Sequence, residues 1–182
     1  MCESRSPAGE GGARKRAGEG AARASGLLNS DPQVPEPGCL QIPTHHPHPL
    51  PLVLVAAVAL VDIDGRVLVQ QRPPGKSWAG WWEFPGGKVH ECETPEATIG
   101  RELKEELGLD ITESCLAPFT FTSYAYDDFH LLMMLYLCRV WRGSPSPREG
   151  QTLRWMRPQE LGGLPNLLPA DAPLVAILRD WL

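Results

Sequence analysis

GKVHECETPEATIGRELKEELGL, running from Gly87 to Leu109, is the stretch on which the reading of the whole chain turns. It reads as a loop feeding a helix. Thr94 is a good N-cap, and Pro95 suits the first helical position, where its missing N–H would have no intrahelical partner. Gly108 suits the position just past the helix end, where the backbone often turns left-handed. About three to four helical turns fit between these signals. On such a helix Glu102, Glu105 and Glu106 stand at i, i+3 and i+4 and share one face. Gly100, Leu103 and Leu107, with Ala97 near them, lie roughly opposite and can dock on a sheet. Like charges at this spacing destabilise a helix by roughly 0.2–0.5 kcal/mol per pair, although Arg101 can reach Glu105 at i+4. Taken alone, the carboxylate face fits either a solvated Glu-rich helix or a set of oxygen ligands for a hard cation such as Mg2+ or Mn2+.

The flanking residues weigh on that choice. The stretch fits G-x5-E-x7-R-E-U-x-E-E-x-G-U, with U a bulky aliphatic residue. Gly87, Glu93, Arg101, Glu102, Glu105, Glu106 and Gly108 fill the fixed positions, and Leu103 and Leu109 the aliphatic ones. With each fixed residue type at roughly 5–9% background, the chance of such a match is on the order of 10^-8 or below. The pattern is a complete Nudix box, and the chain resembles a Nudix hydrolase. The resemblance covers nearly all of residues 52–182.

Length and composition agree with one domain plus an extension: the chain has 182 residues, 42% of them hydrophobic. Residues 1–51 are rich in Gly, Ala, Pro, Ser and Arg and carry five Lys/Arg against five Asp/Glu. The run EGGARKRAGEGAARASG has too little apolar surface to offset chain entropy, so residues 1–51 are expected to be a disordered, low-complexity extension. Its Arg content suggests a transit peptide, but Glu3, Glu10 and Glu19 argue against one. The run His45-His46-Pro47-His48 could bind a transition metal adventitiously. The remaining 131 residues carry 12 Lys/Arg and 17 Asp/Glu, the whole of the net charge of −5. An acidic domain is a poor candidate for nucleic-acid binding, which draws on Lys and Arg contacts to phosphate. It suits a small phosphorylated substrate that arrives with metal ions. The five Cys form no C-x-x-C pair and are odd in number, which reads as reduced thiols in a cytoplasmic compartment. No apolar run approaches the roughly 18 residues of a membrane span.

Along the chain, VLVAAVALV (53–61) has the length and Val content of a buried strand. Asp62 to Gly65 forms a hairpin turn, and VLVQQR (67–72) returns as its partner strand. The loop KSWAGWW (76–82) holds three of the six Trp. These rings are expected on the core edge, with a nucleobase-facing role open for one of them. FTFTSYAY (119–126), HLLMMLYLCRVW (130–141) and TLRWMR (152–157) read as strands, with a turn at Asp127-Asp128. Pro158 opens a short helix through Leu161. Asp171 caps a last helix, with Ala172, Val175, Ala176, Leu178 and Leu182 as packing residues. The expectation is an α/β domain with the Nudix fold, an α/β/α sandwich around a mixed β-sheet.

The family resemblance implies chemistry. Nudix hydrolases cleave nucleoside diphosphates linked to a further group, using Mg2+, with Mn2+ a possible substitute, to neutralise phosphate charge and acidify water. It implies Glu102, Glu105 and Glu106 as metal ligands, joined by the Gly87 carbonyl, with Glu102 also a candidate general base. Glu93 and Arg101 would hold the catalytic helix by a charge-assisted hydrogen bond. Glu149, in Arg148-Glu149-Gly150-Gln151, resembles the E-G-Q segment of MutT-type enzymes, whose Glu supplies a ligand or base from a mobile loop; an ordinary surface Glu is the alternative. Arg72 and Lys88 are candidate phosphate contacts, with an exposed Arg the alternative at 72.

WEFPGGK before the box, E-G-Q after it and LPADAPL (168–174) together resemble the MutT-type 8-oxo-dGTP diphosphatases. The resemblance puts Phe84 beside the purine and Asp171 on its Hoogsteen edge, where the best-known family pattern has Asn. An ionised Asp only accepts hydrogen bonds, so it would favour the N7–H of 8-oxoguanine over the bare N7 of guanine, and could donate to O6 only if protonated. A CTP- or 5-methyl-dCTP-type pyrimidine triphosphate pyrophosphohydrolase shares these patterns and is the runner-up. A non-catalytic Nudix-like binding module is the alternative of another class, although such modules typically lose box carboxylates. The expected partner is a small nucleoside triphosphate, with no stable nucleic-acid partner, no membrane, and a monomer or weak homodimer.

Overall fold

The computed structural model describes residues 49–182. The expectations for residues 1–48, including the His45-His46-Pro47-His48 run, lie outside the described residues. Strand β1 (Leu52–Leu60) is the axis of the domain. Its period-2 alternation sends Ala56, Val58 and Leu60 into one core and Ala57, Ala59 and Val61 into the other. Strand β6 (His130–Cys138) runs parallel to β1 along its whole length, from the pair Leu52 and His130 to Leu60 and Cys138. Strand β5 (Leu116–Ala125) pairs antiparallel on the far side of β6, with an irregularity at Pro118/Thr120. Strand β4 (Gly86–Lys88) pairs antiparallel with Val55–Ala57. The four make a mixed sheet in the order β4-β1-β6-β5.

The hairpin after β1 differs from the expectation. The turn is there: Asp62 Oδ1 accepts from the N–H of Asp64 (3.0 Å) and of Arg66 (2.8 Å), and Gly65 sits at φ 75°. But β2 (Val67–Gln71) meets the first strand only at the Val61–Val67 bridge. The edge it would have continued along is already taken. Val58 N–H donates to the Pro85 carbonyl (2.9 Å), and Val89 N–H donates to Leu54 (3.0 Å). Strand β2 therefore peels away into a second, antiparallel sheet with β3 (Trp82–Glu83) and β7 (Thr152–Met156), in the order β3-β2-β7. Strand β6 also ends at Cys138, short of Trp141, and Arg142 pairs instead with Asp110.

Helix α1 (Pro95–Glu102) starts as expected, with Thr94 Oγ1 accepting the Ala97 N–H at 3.1 Å. It does not stay α-helical. Leu103–Leu107 forms a π-helical turn, closed by Gly108 at φ 71°. A widened turn would leave carbonyls short of donors, and loop 143–151 supplies them. Arg148 N–H donates to Glu106 O (2.9 Å), Ser146 N–H to Leu107 O (3.0 Å) and the Arg148 guanidinium to Lys104 O (3.2 Å). Ile99, Leu103 and Leu107 are buried against Ala56, Val58, Leu60 and Leu68, whereas Ala97 and Gly100 are only partly covered. Ile99, not singled out in the sequence, is thus a principal anchor.

The other core packs α2 (Pro158–Leu161) and α3 (Ala172–Trp181) against the opposite face through Leu161, Leu174, Val175 and Leu178. Two packing expectations fail there: Ala172 and Ala176 are exposed, and Leu174 takes the buried place. Asp171 occupies the N-cap position of α3 but makes no capping bond, because its carboxylate is committed elsewhere. Among the described residues no helix is long and apolar enough to cross a membrane.

Leu103 is fully buried where the π turn meets the sheet. Leu103→Ala is expected to lower unfolding free energy by about 2–5 kcal/mol, the usual range for an unrelaxed core cavity. Urea denaturation followed by far-UV circular dichroism checks it, and a loss under ~1 kcal/mol would mean that the turn collapses onto the space.

Candidate active site

A cavity of about 380 Å³ opens between the two sheets. Its wall collects Gln70 and Arg72 at the end of β2, Lys76 and Trp78 from the following loop, and Glu83, Phe84, Gly87 and Lys88 around β3 and β4. Glu106 comes from the π turn, Glu149 and Gln151 from loop 143–151, and Asp171 from the start of α3. Seven residues singled out in the sequence therefore share one cavity: Arg72, Phe84, Gly87, Lys88, Glu106, Glu149 and Asp171. Glu93, Arg101, Glu102 and Glu105 lie outside its lining.

The four outside residues form a hub around Arg101. Its guanidinium donates to Glu93 through Nε (2.9 Å) and Nη2 (3.1 Å), to Glu102 through Nη1 (2.7 Å), and to Glu105 through Nη1 (3.3 Å). Glu93 also accepts from the Thr98 hydroxyl (2.8 Å). The Arg101 hydrogen bonds hold the Glu93 carboxyl down at about 2, against the burial that opposes them. Glu102 nevertheless reaches the cavity's edge. A Cβ on Gly87 would collide with its carboxylate, so the absence of a side chain at 87 makes the cradle in which Glu102 lies.

Glu106 faces inward and has a different environment. Burial pushes its carboxyl up to about 7, the Gln70 hydrogen bond pulls the other way, and the charges of Glu102, Glu83 and Glu149 add to the rise. Gln70 Nε2 donates to Glu106 Oε2 at 3.0 Å, while the buried Gln70 Oε1 has no hydrogen-bond partner. Glu83 is likewise raised by burial. Arg72 Nε stands 3.5 Å from Glu83 Oε1, an ion pair without a hydrogen bond. Glu149 pairs with Lys76 across the cavity mouth, and that bond raises the Lys76 ammonium. Loop 143–151 is not loose at this point. Buried Gln151 accepts the Glu149 N–H at 2.8 Å and donates through Nε2 to the Glu106 carbonyl at 3.0 Å. Gln70, Lys76, Glu83 and Gln151 were not singled out in the sequence. Gln151, inside the E-G-Q segment, and Glu83, inside WEFPGGK, lay within quoted motifs; Gln70 and Lys76 did not.

Among the described residues no three carboxylate, imidazole or thiolate groups converge into a closed cage. The carboxylates are instead shared out among Arg101, Lys76 and Gln70. Three observations still fit a divalent cation between them. Glu106 is a buried carboxylate whose charge lacks compensation, Gln70 Oε1 is an orphaned acceptor, and Gly87 has no side chain to shield its carbonyl from Glu102.

The other end of the cavity is apolar and aromatic, with Phe84, Tyr126, Phe129 and Leu168 around Asp171. Asp171 is 2% exposed, and its Oδ1 accepts the Phe84 N–H at 3.1 Å. Burial pushes its carboxyl up to about 8 despite that bond. Of the two states weighed in the sequence, acceptor-only when ionised and able to donate when protonated, burial favours the protonated one. In its protonated form the group has one O–H to donate.

A profile of the NUDIX domain matches residues 51–178. The 8-oxo-dGTP diphosphatase of Escherichia coli is 35% identical over 118 residues, covering 64% of this chain and 88% of the relative. The CTP pyrophosphohydrolase of the same organism is also 35% identical, over 119 residues, covering 64% and 84%. The solution structure of the E. coli ORF135 protein superposes with a TM-score of 0.61 at 31% identity, covering 70% of this chain and 88% of that one.

The Asp171 geometry has a signature in stability. A carboxyl raised from its ordinary value to about 8 is protonated in the fold and ionised in the unfolded chain over that interval. Its contribution is fully present below the unfolded value and is lost as pH rises toward 8, at about 1.4 kcal/mol per pH unit. Asp171→Asn removes this slope. Urea unfolding at pH 5, 6, 7 and 8 should show wild type losing stability relative to the variant, and parallel curves would mean that Asp171 is ionised in the fold.

Proposed function

The chain belongs to the Nudix hydrolase family, and from that premise we propose that residues 52–182 form a Mg2+-dependent nucleoside triphosphate pyrophosphohydrolase whose preferred substrate is 8-oxo-dGTP, a nucleotide-pool sanitiser that prevents mutation. The observation that carries the reading is the two-ended cavity. A carboxylate-rich end at Glu106 and Glu149 suits a metal-bound triphosphate, and an aromatic end surrounds the buried Asp171, whose carboxyl burial pushes up to about 8. A neutral carboxyl keeps a carbonyl oxygen to accept the N7–H of 8-oxoguanine and has an O–H for O6, the same pair of bonds an Asn amide would make. Guanine offers a bare acceptor at N7 and loses the first of them. A buried polar group left unpaired is a strong basis for rejecting the wrong ligand. Phe84, whose N–H fixes Asp171, flanks the base.

The Gly87 carbonyl, Glu102, Glu105, Glu106 and Glu149 would hold the metal. A divalent ion bound there would neutralise phosphate oxygens and lower the pKa of its water. The chain's own groups do the rest. Arg72 and Lys88 meet the phosphates. Lys76 is drawn from Glu149 toward the incoming triphosphate, which frees Glu149. Glu93 locks Arg101, and Arg101 in turn aims Glu102, which accepts the proton of the attacking water. Water adds to the β-phosphorus, the bond from that phosphorus to the α-bridging oxygen breaks, and nucleoside monophosphate and pyrophosphate result.

The pyrimidine reading draws support from the CTP pyrophosphohydrolase relative, which is as similar as the 8-oxo-dGTP enzyme. Pyrophosphate release from 8-oxo-dGTP, dGTP, CTP and 5-methyl-dCTP with Mg2+ separates the two. A strong preference for 8-oxo-dGTP over dGTP is expected, a preference for CTP would replace the purine assignment, and no release from any of them would end the enzymatic one. Glu106→Gln is expected to lower kcat by more than the roughly 10–100-fold typical of an outer-shell partner. Mg2+ titrated into nucleotide-free protein near pH 6 should release protons from wild type and fewer from this variant. A non-catalytic binding module would instead leave both readouts unmoved.

A further inference from the structure

Of the three Trp in residues 76–82, packing accounts for two. Trp82 is 3% exposed in the core and Trp81 is half-buried beneath its neighbours, but Trp78 is 42% exposed on the cavity wall. It also holds an uncommon backbone conformation, φ 59°, which a bulky side chain rarely adopts without a local reason. The loop around it is fixed from both sides. Gly80 N–H donates to Arg72 O and Arg72 N–H to Trp81 O, both at 2.9 Å, and Trp81 N–H donates to Trp78 O at 3.0 Å. The indole stands edge-on to Trp81 at 4.8 Å and lies 6.0 Å from Tyr126. Tyr126 stacks on Phe129 at 4.7 Å. Its hydroxyl is pushed up to about 12, first by burial and then by the charge of nearby Asp171. A line of rings therefore runs from the solvent-facing indole to the buried acid.

We propose that Trp78 is a nucleobase-stacking residue, its indole covering the base at the cavity mouth, and that it sets specificity through the stacked area. The inference rests on the cavity being the nucleotide site. Stacking on an aromatic face is sequence-tolerant because every base has a π face, and a purine offers more of it than a pyrimidine. Trp78 lies two residues after Lys76, so one loop presents a cation to the phosphates and a ring to the base. Asp171 and Phe84 read the base's edge and inner face, while Trp78 supplies the outer face that a cavity open at this end would otherwise leave to water.

The test compares wild type, Trp78→Ala and Trp78→Phe. Two measurements are made: calorimetric binding of 8-oxo-dGMP and CMP, and competitive inhibition by inorganic tripolyphosphate, which has no base. Trp78→Ala is expected to weaken 8-oxo-dGMP binding about 10-fold and CMP binding less, with Trp78→Phe recovering most of the loss. The effect in turnover should fall on KM more than on kcat, and the tripolyphosphate inhibition constant should stay within about two-fold of wild type. Unaltered nucleotide binding in Trp78→Ala would overturn the inference, as would a tripolyphosphate loss equal to the nucleotide loss, which would make the ring a loop-shaping element. If wild type prefers CTP, the purine reading falls while a raised KM for CTP in Trp78→Ala still supports stacking. If wild type binds no nucleotide, both fall.

Discussion

The close pass of Gly86-Gly87 over Ala56-Ala57 is the constraint from which the rest of the domain follows. A Cβ at Gly86 would run into the Ala56 carbonyl and the Ala57 Cα, and φ 152° at that residue suits glycine. The alanines on the β1 side keep their own surface low enough for the pass to occur. Three consequences come from this one contact. The edge of β1 is closed, so β2 is displaced into a second sheet. The space between the sheets becomes the cavity. And Gly87 arrives beneath Glu102 with no side chain between them. The pocket is thus a by-product of backbone packing, and only afterwards a matter of side chains.

Electrostatics then sorts an acidic site into distinct environments. Arg101 gathers Glu93, Glu102 and Glu105, and the depressed Glu93 shows how tightly that hub is held. Lys76 takes Glu149. The Glu106 carboxylate has the Gln70 amide as its hydrogen-bond donor, which is too little to offset burial and three like charges. Charge compensation is thus weakest at the residue that faces the cavity. The π turn matters here. Its surplus carbonyls draw in Arg148, Ser146 and Gln151, and so tie the loop bearing Glu149 to the backbone bearing Glu106.

Much of this was legible in the sequence because the signals were local. Thr94, Pro95 and Gly108 fix the ends of a helix through capping chemistry that needs no distant partner, and the resemblance to the Nudix box implies the roles of Glu93 and Arg101. What could not be read depended on remote segments. The π turn requires donors from 143–151. The second sheet requires knowledge that Pro85 has taken β1's edge. Gln70 and Lys76 have no pattern of their own and become meaningful only when β2 and the next loop are folded across from Glu106 and Glu149. Asp171 was read as a cap because Asp before an apolar helical run normally is one. Its Oδ1 instead accepts the Phe84 N–H, far away in the chain, and no capping bond forms.

The Phe84 bond and the burial around it bear on how an acid can stand where the related pattern has an amide. Asp171 and Glu106 are both buried carboxyls raised well above their ordinary range, yet their surroundings differ in kind. Glu106 has Gln70 donating to it and Lys76 near enough for their charges to interact, so added positive charge favours its anion. Asp171 has one backbone N–H and otherwise Phe84, Tyr126, Leu168 and Ala170 around it. An ion there would lack hydration, and burial outweighs both that bond and the charge of Arg72, so the protonated form is favoured. A protonated carboxyl and a primary amide share a planar shape with one acceptor and one donor side. With the amide, that pattern holds at every pH. With the acid, it exists only while burial holds the proton, so the apolar wall around Asp171 decides whether the carboxyl can stand in for the amide.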